Sequence, residues 1–193
     1  MTGDIILQKR SGIIGWFVSL FTKSDWVHCS IDIDDNTLIR VDYRGRHYTD
    51  ITDLWGDVIV LTPEPALLEG QESGLRRSIK HSRVRGYSLW NIFKSWIWKS
   101  TDDERRGGRY YHCAEFVCEM YRQGTGIDLV PKRSNDKTQP HHFLTSPFLR
   151  QEFAGNLTDY FEEKYQESSI RLINLAPSKN VNGMRLIGDA IET

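Results

Sequence analysis

Apolar residues recur along this chain with two periods, and the alternation between them predicts an α+β fold. Ile5-Ile6-Leu7, following a Gly-Asp turn, reads as a short strand over 4–8. Ile13, Ile14, Phe17, Leu20 and Phe21 then fall at helical spacing and predict a short amphipathic helix. Its stripe reads as core-facing, because Lys and Arg do not line its polar side as they would at a membrane surface. Trp26 to Ile33 alternates, so it reads as a strand with two faces. Val27, Cys29, Ile31 and Ile33 point to the core, which makes Cys29 structural. His28, Ser30 and Asp32 point the other way, onto a face that is either solvated or lines a site. Asp34-Asp35-Asn36 supplies a turn, and Thr37 to Tyr43 returns as the second strand of a hairpin. There Leu38, Arg40 and Asp42 share one face and Ile39, Val41 and Tyr43 the other.

Further along, Val58 to Leu61 predicts a third strand, closed by Pro63 and Pro65. A helix is expected from about Pro65 to Ser82, weakened by Gly70 and Gly74, and a second helical piece from Tyr87 to Trp98. Phe116, Val117, Met120 and Tyr121 stand at helical spacing behind Cys113, and Gly124 and Gly126 provide the stop. Leu149, Phe153, Leu157, Tyr160, Phe161 and Tyr165 predict a last helix with an acidic side, and residues 168–175 one more strand.

The Cys113 helix carries the chemistry. A thiol in the first turn of a helix sits among N–H groups without intrahelical partners, at the positive end of the helix dipole. That setting favours thiolate, the form that attacks a carbonyl carbon. The alternative is a small buried hydrophobe on the core stripe. A nucleophile also needs a proton partner, and His suits that task near neutral pH. There are six: His28, His47, His81, His112, His141 and His142. His112 is adjacent to Cys113, but consecutive helical residues do not face each other. His28, a ring on a polar row beside a β-branched core, is the more informative candidate.

Composition narrows the classes. Against 25 Lys+Arg stand 26 Asp+Glu, so no strongly basic nucleic-acid surface is announced. The basic run Arg76, Arg77, Lys80, Arg83 and Arg85 reads as the solvated side of a helix. Cysteines at 29, 113 and 118 make no even framework, which suits a reducing compartment. No basic-then-apolar leader opens the chain, and the most apolar stretch, Ile13 to Phe21, is too short to span a bilayer. A cytoplasmic or virion-associated protein is the expectation, with no integral membrane segment.

Several motifs, in order, resemble a known group. Gly3-Asp4-Ile5-Ile6-Leu7, an amphipathic helix, and Thr22-Lys23-Ser24-Asp25-Trp26-Val27-His28-Cys29-Ser30-Ile31 are similar to the opening of the permuted papain-like hydrolases of the NlpC/P60 superfamily, YiiX/YebB-like branch. Gly86-Tyr87-Ser88-Leu89-Trp90 resembles that branch's helix start, and Tyr111-His112-Cys113-Ala114-Glu115-Phe116-Val117 its nucleophile helix. Gly126-Ile127-Asp128-Leu129 and Pro140-His141-His142-Phe143-Leu144-Thr145-Ser146-Pro147 resemble two later elements. Together they cover roughly residues 3–150.

The resemblance implies a papain-like fold, a small antiparallel sheet packed against the nucleophile helix, with a catalytic domain over 1–150 and a helical extension with its tail over 151–193 packed on it. It implies Cys113 as nucleophile and His28 as general base and acid. Permutation explains why His precedes Cys. The third member departs from the pattern. The family places an acidic, amide or second His group near Arg40, and Arg has only donors. Asp42, on the same face, is the alternative orienter, and Tyr87 a possible support for the oxyanion beside the N–H of Cys113. The implied substrates are peptide crosslinks of peptidoglycan or other acyl amides and esters. The implied partner is a larger assembly such as a phage tail or secretion system. A non-catalytic binding module that kept the fold is the other class. No cofactor is implied. A metal site at His112, Cys113, His141 and His142 lacks the paired spacings of structural zinc sites.

Overall fold

The computed structural model describes residues 2–10, 12–34, 37–54, 56–87 and 109–163. The helix expected over 87–98 falls almost wholly outside these residues, and the strand expected over 168–175 falls entirely outside them. Two compact units are present, Met1–Leu157 and Thr158–Thr193.

The first unit is built on a six-stranded antiparallel sheet. Its strands are β1 (Ile5–Lys9), β2 (Trp26–Asp34), β3 (Thr37–Asp42), β4 (Gly45–Asp50), β5 (Asp57–Pro63) and β8 (Leu149–Asn156). Their order across the sheet is β4-β3-β2-β1-β5-β8. A separate parallel pair joins β6 (Val84–Tyr87) to β7 (Arg109–Tyr111). Helices among the described residues include α1 (Gly12–Thr22), α2 (Glu69–His81) and α3 (Cys113–Thr125). Among the described residues no helix is long and apolar enough to cross a membrane.

Alternation places the core as expected on one face of the sheet. Ile5 and Leu7, Cys29 and Ile31, Ile39 and Val41 join Phe116, Val117, Met120 and Tyr121 of α3 in one buried cluster. Each such aliphatic or aromatic side chain contributes roughly 1.5–3 kcal/mol by leaving water. The other face is not solvated: Ser30 and Asp32 are 2% and 1% exposed, beside buried Ile6 and Leu38. The C-terminal half of α3 is held twice. The Tyr121 hydroxyl donates to the carbonyl of Gly3, and the backbones of α2 and α3 meet at Gly74 and Gly124. A Cβ on either would collide with the other helix. β4 is braced by Arg46, whose Nη1 donates to the carbonyls of Ile79 (2.7 Å) and Ser82 (3.0 Å) at the end of α2.

One expectation is corrected, and one strand was not foreseen. Residues 149–156 form an edge strand on β5 in place of the first half of a helix, and helix is seen only over 157–163. The apolar residues Leu149, Phe153 and Leu157 are four apart, a spacing that a half-exposed strand satisfies equally well. The sheet therefore continues to Asn156, and the compact unit ends at Leu157. β4, carrying Arg46, His47, Tyr48 and Thr49, was invisible as a hydrophobic pattern because an edge strand need not bury a face.

Candidate active site

Cys113 is the first residue of α3, as the apolar spacing predicted, and is 4% exposed. The helix starts there because His112 caps it: backbone extended, Nδ1 accepting the N–H of Glu115 at 3.3 Å. It ends at Gly126 in the left-handed conformation (φ 77°), which glycine adopts without strain. Sequence reasoning set His112 aside as a proton partner for Cys113. It nevertheless forms the cap and also hydrogen-bonds the Cys113 sulfur. Its place immediately before the apolar run was the available signal.

β2 carries an irregularity just before His28. Gln8 pairs with His28, but Lys9 pairs with Trp26, so Val27 is an extra residue on that strand. His28 and Cys29 themselves stay in register with Gln8 and Leu7. Cys113 is hydrogen-bonded to the thiol of Cys29 and to His28 together, although alternation assigns them to opposite faces. Cys29 is thus more than core filling. It lies directly after His28, and that adjacency was the overlooked signal.

The environment selects the thiolate at one sulfur and the thiol at its neighbour. The Cys29 hydrogen bond, opposed by burial and aided by hydrogen bonds from His112 and His28, holds Cys113 well below the ordinary thiol range. Burial, with the hydrogen bond and charge of Cys113, pushes Cys29 well above it. Cys29 is the donor and Cys113 the acceptor. On the same helix Cys118 is pushed up to about 12, chiefly by burial.

Arg40 occupies the place where an orienting acceptor was expected. Its Nε donates to Nε2 of His28 at 3.2 Å and its Nη2 to Oε1 of Gln8 at 3.0 Å. Asp42 is directed elsewhere. It accepts from the N–H of Arg44 (2.9 Å) and from Arg44 Nη2 (3.0 Å), with His47 Nε2 at 3.6 Å. Although burial works the other way, Arg44 and His47 hold that carboxyl below its usual range. Tyr87 ends β6, its backbone paired with Tyr111, two residues before Cys113. Its side chain lies outside the description.

The rings of His141 and His142 meet at a tilt of 56°, centroids 4.1 Å apart. Burial lowers both, His142 to about 4. The Nδ1 of His142 accepts the N–H of Gln139, a cap on a short 3-10 turn. Of the basic run, Arg76 pairs with Asp34 while Arg77, Lys80 and Arg83 are exposed, as a solvated helix side requires.

With this geometry in view, the comparisons concern the fold. No family model matches the sequence. No curated protein matches it. The fold is similar to the crystal structure of metalloprotein yiiX from Escherichia coli O157:H7, DUF1105: TM-score 0.57 and 17% identity, covering 79% of this chain and 96% of that one. The chain is YiiX-like in fold. Metal binding is a property named for that protein. Among the described residues of this chain, no group of three or more His, Cys, Asp or Glu stands so as to hold a metal ion, and no step is derived through one.

Proposed function

We propose that this chain is a cysteine hydrolase of permuted papain-like design, akin to the NlpC/P60 superfamily, which cleaves an amide or ester bond through a thioacyl-enzyme. The observation that carries the reading is the Cys113 sulfur, in the first turn of α3, hydrogen-bonded to His28 and held as thiolate. A thiolate attacks an acyl carbon without needing to lose a proton first. The developing oxyanion would meet the N–H of Cys113 at the helix start, where fixed backbone donors stabilise charge at no cost of reorganisation. Tyr87, whose backbone runs beside the approach to α3, is the side chain best placed by sequence to assist.

The YiiX-like fold and the motif order support the same reading, and they suggest peptidoglycan crosslinking peptides or other acyl compounds as substrates. A wall-directed role would suit a phage tail or secretion assembly. The test is digestion of purified peptidoglycan and of a panel of acyl probes by wild type, Cys113→Ala and His28→Ala, followed by chromatography of fragments and intact mass of the protein. An acyl adduct on Cys113, absent in Cys113→Ala, is the expected result. No adduct and no fragments from any substrate would sink the reading. One observation favours a second reading, a binding module without turnover: a donor, Arg40, stands where catalysis by imidazole ordinarily has an acceptor.

A further inference from the structure

The second nitrogen of a catalytic imidazole ordinarily donates to an acceptor, which leaves the first free to take the nucleophile's proton. Here the group that reaches His28 is itself a donor. Arg40 Nε–H points at Nε2 of His28 (3.2 Å), and Nη2 of the same guanidinium is anchored on Gln8 (3.0 Å). Gln8 is the cross-strand partner of His28, so the guanidinium is held at two points on one ladder. A guanidinium has donors only and stays protonated. The nitrogen it addresses is therefore the bare one, and the proton of the neutral ring is on Nδ1. That N–H is what His28 has to donate to the Cys113 sulfur. A second proton, at Nε2, would stand head-on against the Arg40 N–H.

This deepens the thiol-hydrolase reading and rests on it. We infer that Arg40 is a positioning residue that holds His28 as the Nδ1–H donor, and that the site in consequence takes acyl groups whose leaving group departs as an anion, thioesters and activated esters, ahead of amides. An amine leaves a tetrahedral intermediate only once its nitrogen is protonated, and an imidazolium normally supplies that proton. A thiolate or a nitrophenolate leaves without one. The steps balance. The Cys113 thiolate adds to the carbonyl carbon, the bond from that carbon to the leaving sulfur or oxygen breaks, and the leaving group carries off the electron pair and the negative charge. Water then adds to the thioacyl carbon and the bond to the Cys113 sulfur breaks. The carboxylate and the Cys113 thiolate remain, and both protons of that water pass to solvent.

The experiment has two arms on the full chain. Long-range proton–nitrogen NMR of histidine-labelled protein reads the His28 tautomer in wild type, Arg40→Asn and Arg40→Lys. Intact mass spectrometry follows acylation of Cys113 by three butyryl probes: the N-acetylcysteamine thioester, the p-nitrophenyl ester and the alanine amide. Wild type should show Nδ1–H and acylate with thioester and ester. Arg40→Asn, which offers an acceptor, should move the proton to Nε2. It should also shrink the thioester-to-amide rate ratio by about tenfold or more, the lower end of what a general acid contributes being larger still. Arg40→Lys keeps charge without bridging both partners, and should lose the Nδ1–H preference as well, so a folding failure of one variant leaves the other to decide. An Nε2–H ring in wild type, or a ratio unmoved by a variant that folds, overturns the inference. Equal uptake of amide and thioester by wild type overturns the substrate preference while the hydrolase reading stands. No acylation by any probe, with the tautomer still following Arg40, overturns the hydrolase reading and the preference with it.

Discussion

Cys113 and Cys118 lie five residues apart on α3, both almost fully buried, yet the structure treats their protons in opposite ways. Cys118, in the second turn, is surrounded by core, and burial pushes it up to about 12. Cys113 is buried as deeply, but Cys29, His28 and His112 direct hydrogen bonds at it, and it falls well below the ordinary range. Burial alone penalises the anion. What separates the two sulfurs is the supply of donors, concentrated at the helix start and at the bulged end of β2. The lesson is that a cysteine's position on a helix is read only together with what the neighbouring strand brings to it.

The sharpest way to break this comparison is alkylation. At pH 7 iodoacetamide should modify Cys113 at least about a hundredfold faster than Cys118, since thiolate fraction governs the rate. His28→Ala should slow Cys113 and leave Cys118 unchanged. Peptide mass spectrometry after a timed quench reads both sites, and equal rates would remove the distinction. Moving the whole helix should come next in size. Gly74→Ala drives a methyl into the Gly124 backbone and should cost about 2–3 kcal/mol in urea unfolding. Gly70→Ala, with open space around it, should gain about 0.5–1 kcal/mol.

Removing one donor sharpens the comparison further. Cys29→Ala should slow Cys113 alkylation at pH 7 roughly tenfold, and Cys29→Ser, which keeps a donor, should restore most of it. The pH profile gives a fourth reading. Cys113 is depressed in the fold. Its thiolate therefore contributes stability fully present above the ordinary thiol value of about 8.5 and withdrawn as pH falls through the lowered one. Cys118 is raised. Its contribution is present below the ordinary value and is lost as pH climbs toward about 12. Between pH 9 and 7 the alkylation rate of Cys113 should therefore stay nearly flat, while an ordinary thiol slows by more than about tenfold. The smallest effect is expected from Asp42→Asn. Its partners are Arg44 and His47, so Cys113 alkylation should change less than about twofold. Stability should fall by no more than about 1 kcal/mol, as for a partly exposed pair.

Much of the fold was legible because its signals are local. The strands β1, β2, β3 and β5, the helix α1 and the start and stop of α3 follow from period and punctuation within a few residues. β8 was misread because residues four apart suit either period. β4 was missed because its polar residues carry no stripe. Of the site, Cys113 and His28 were found by motif order, which substitutes for distance information the residues themselves lack. Cys29, His112 and Arg40 were each in view and assigned lesser roles. Alternation puts Cys29 and His28 on opposite faces and gives no warning that both meet Cys113.

The sequence by itself determined that a thiol heads an apolar helix and that a polar row bearing an imidazole runs along one strand. Hydrophobic periodicity and turn chemistry act over a handful of residues and are written directly in the chain. Only the tertiary structure decided that the two meet, that a second thiol joins them, and that Arg40 rather than Asp42 addresses His28. Those outcomes depend on where α3 packs against β2 and on the reach of long side chains across strands. Both are set by how distant segments share space.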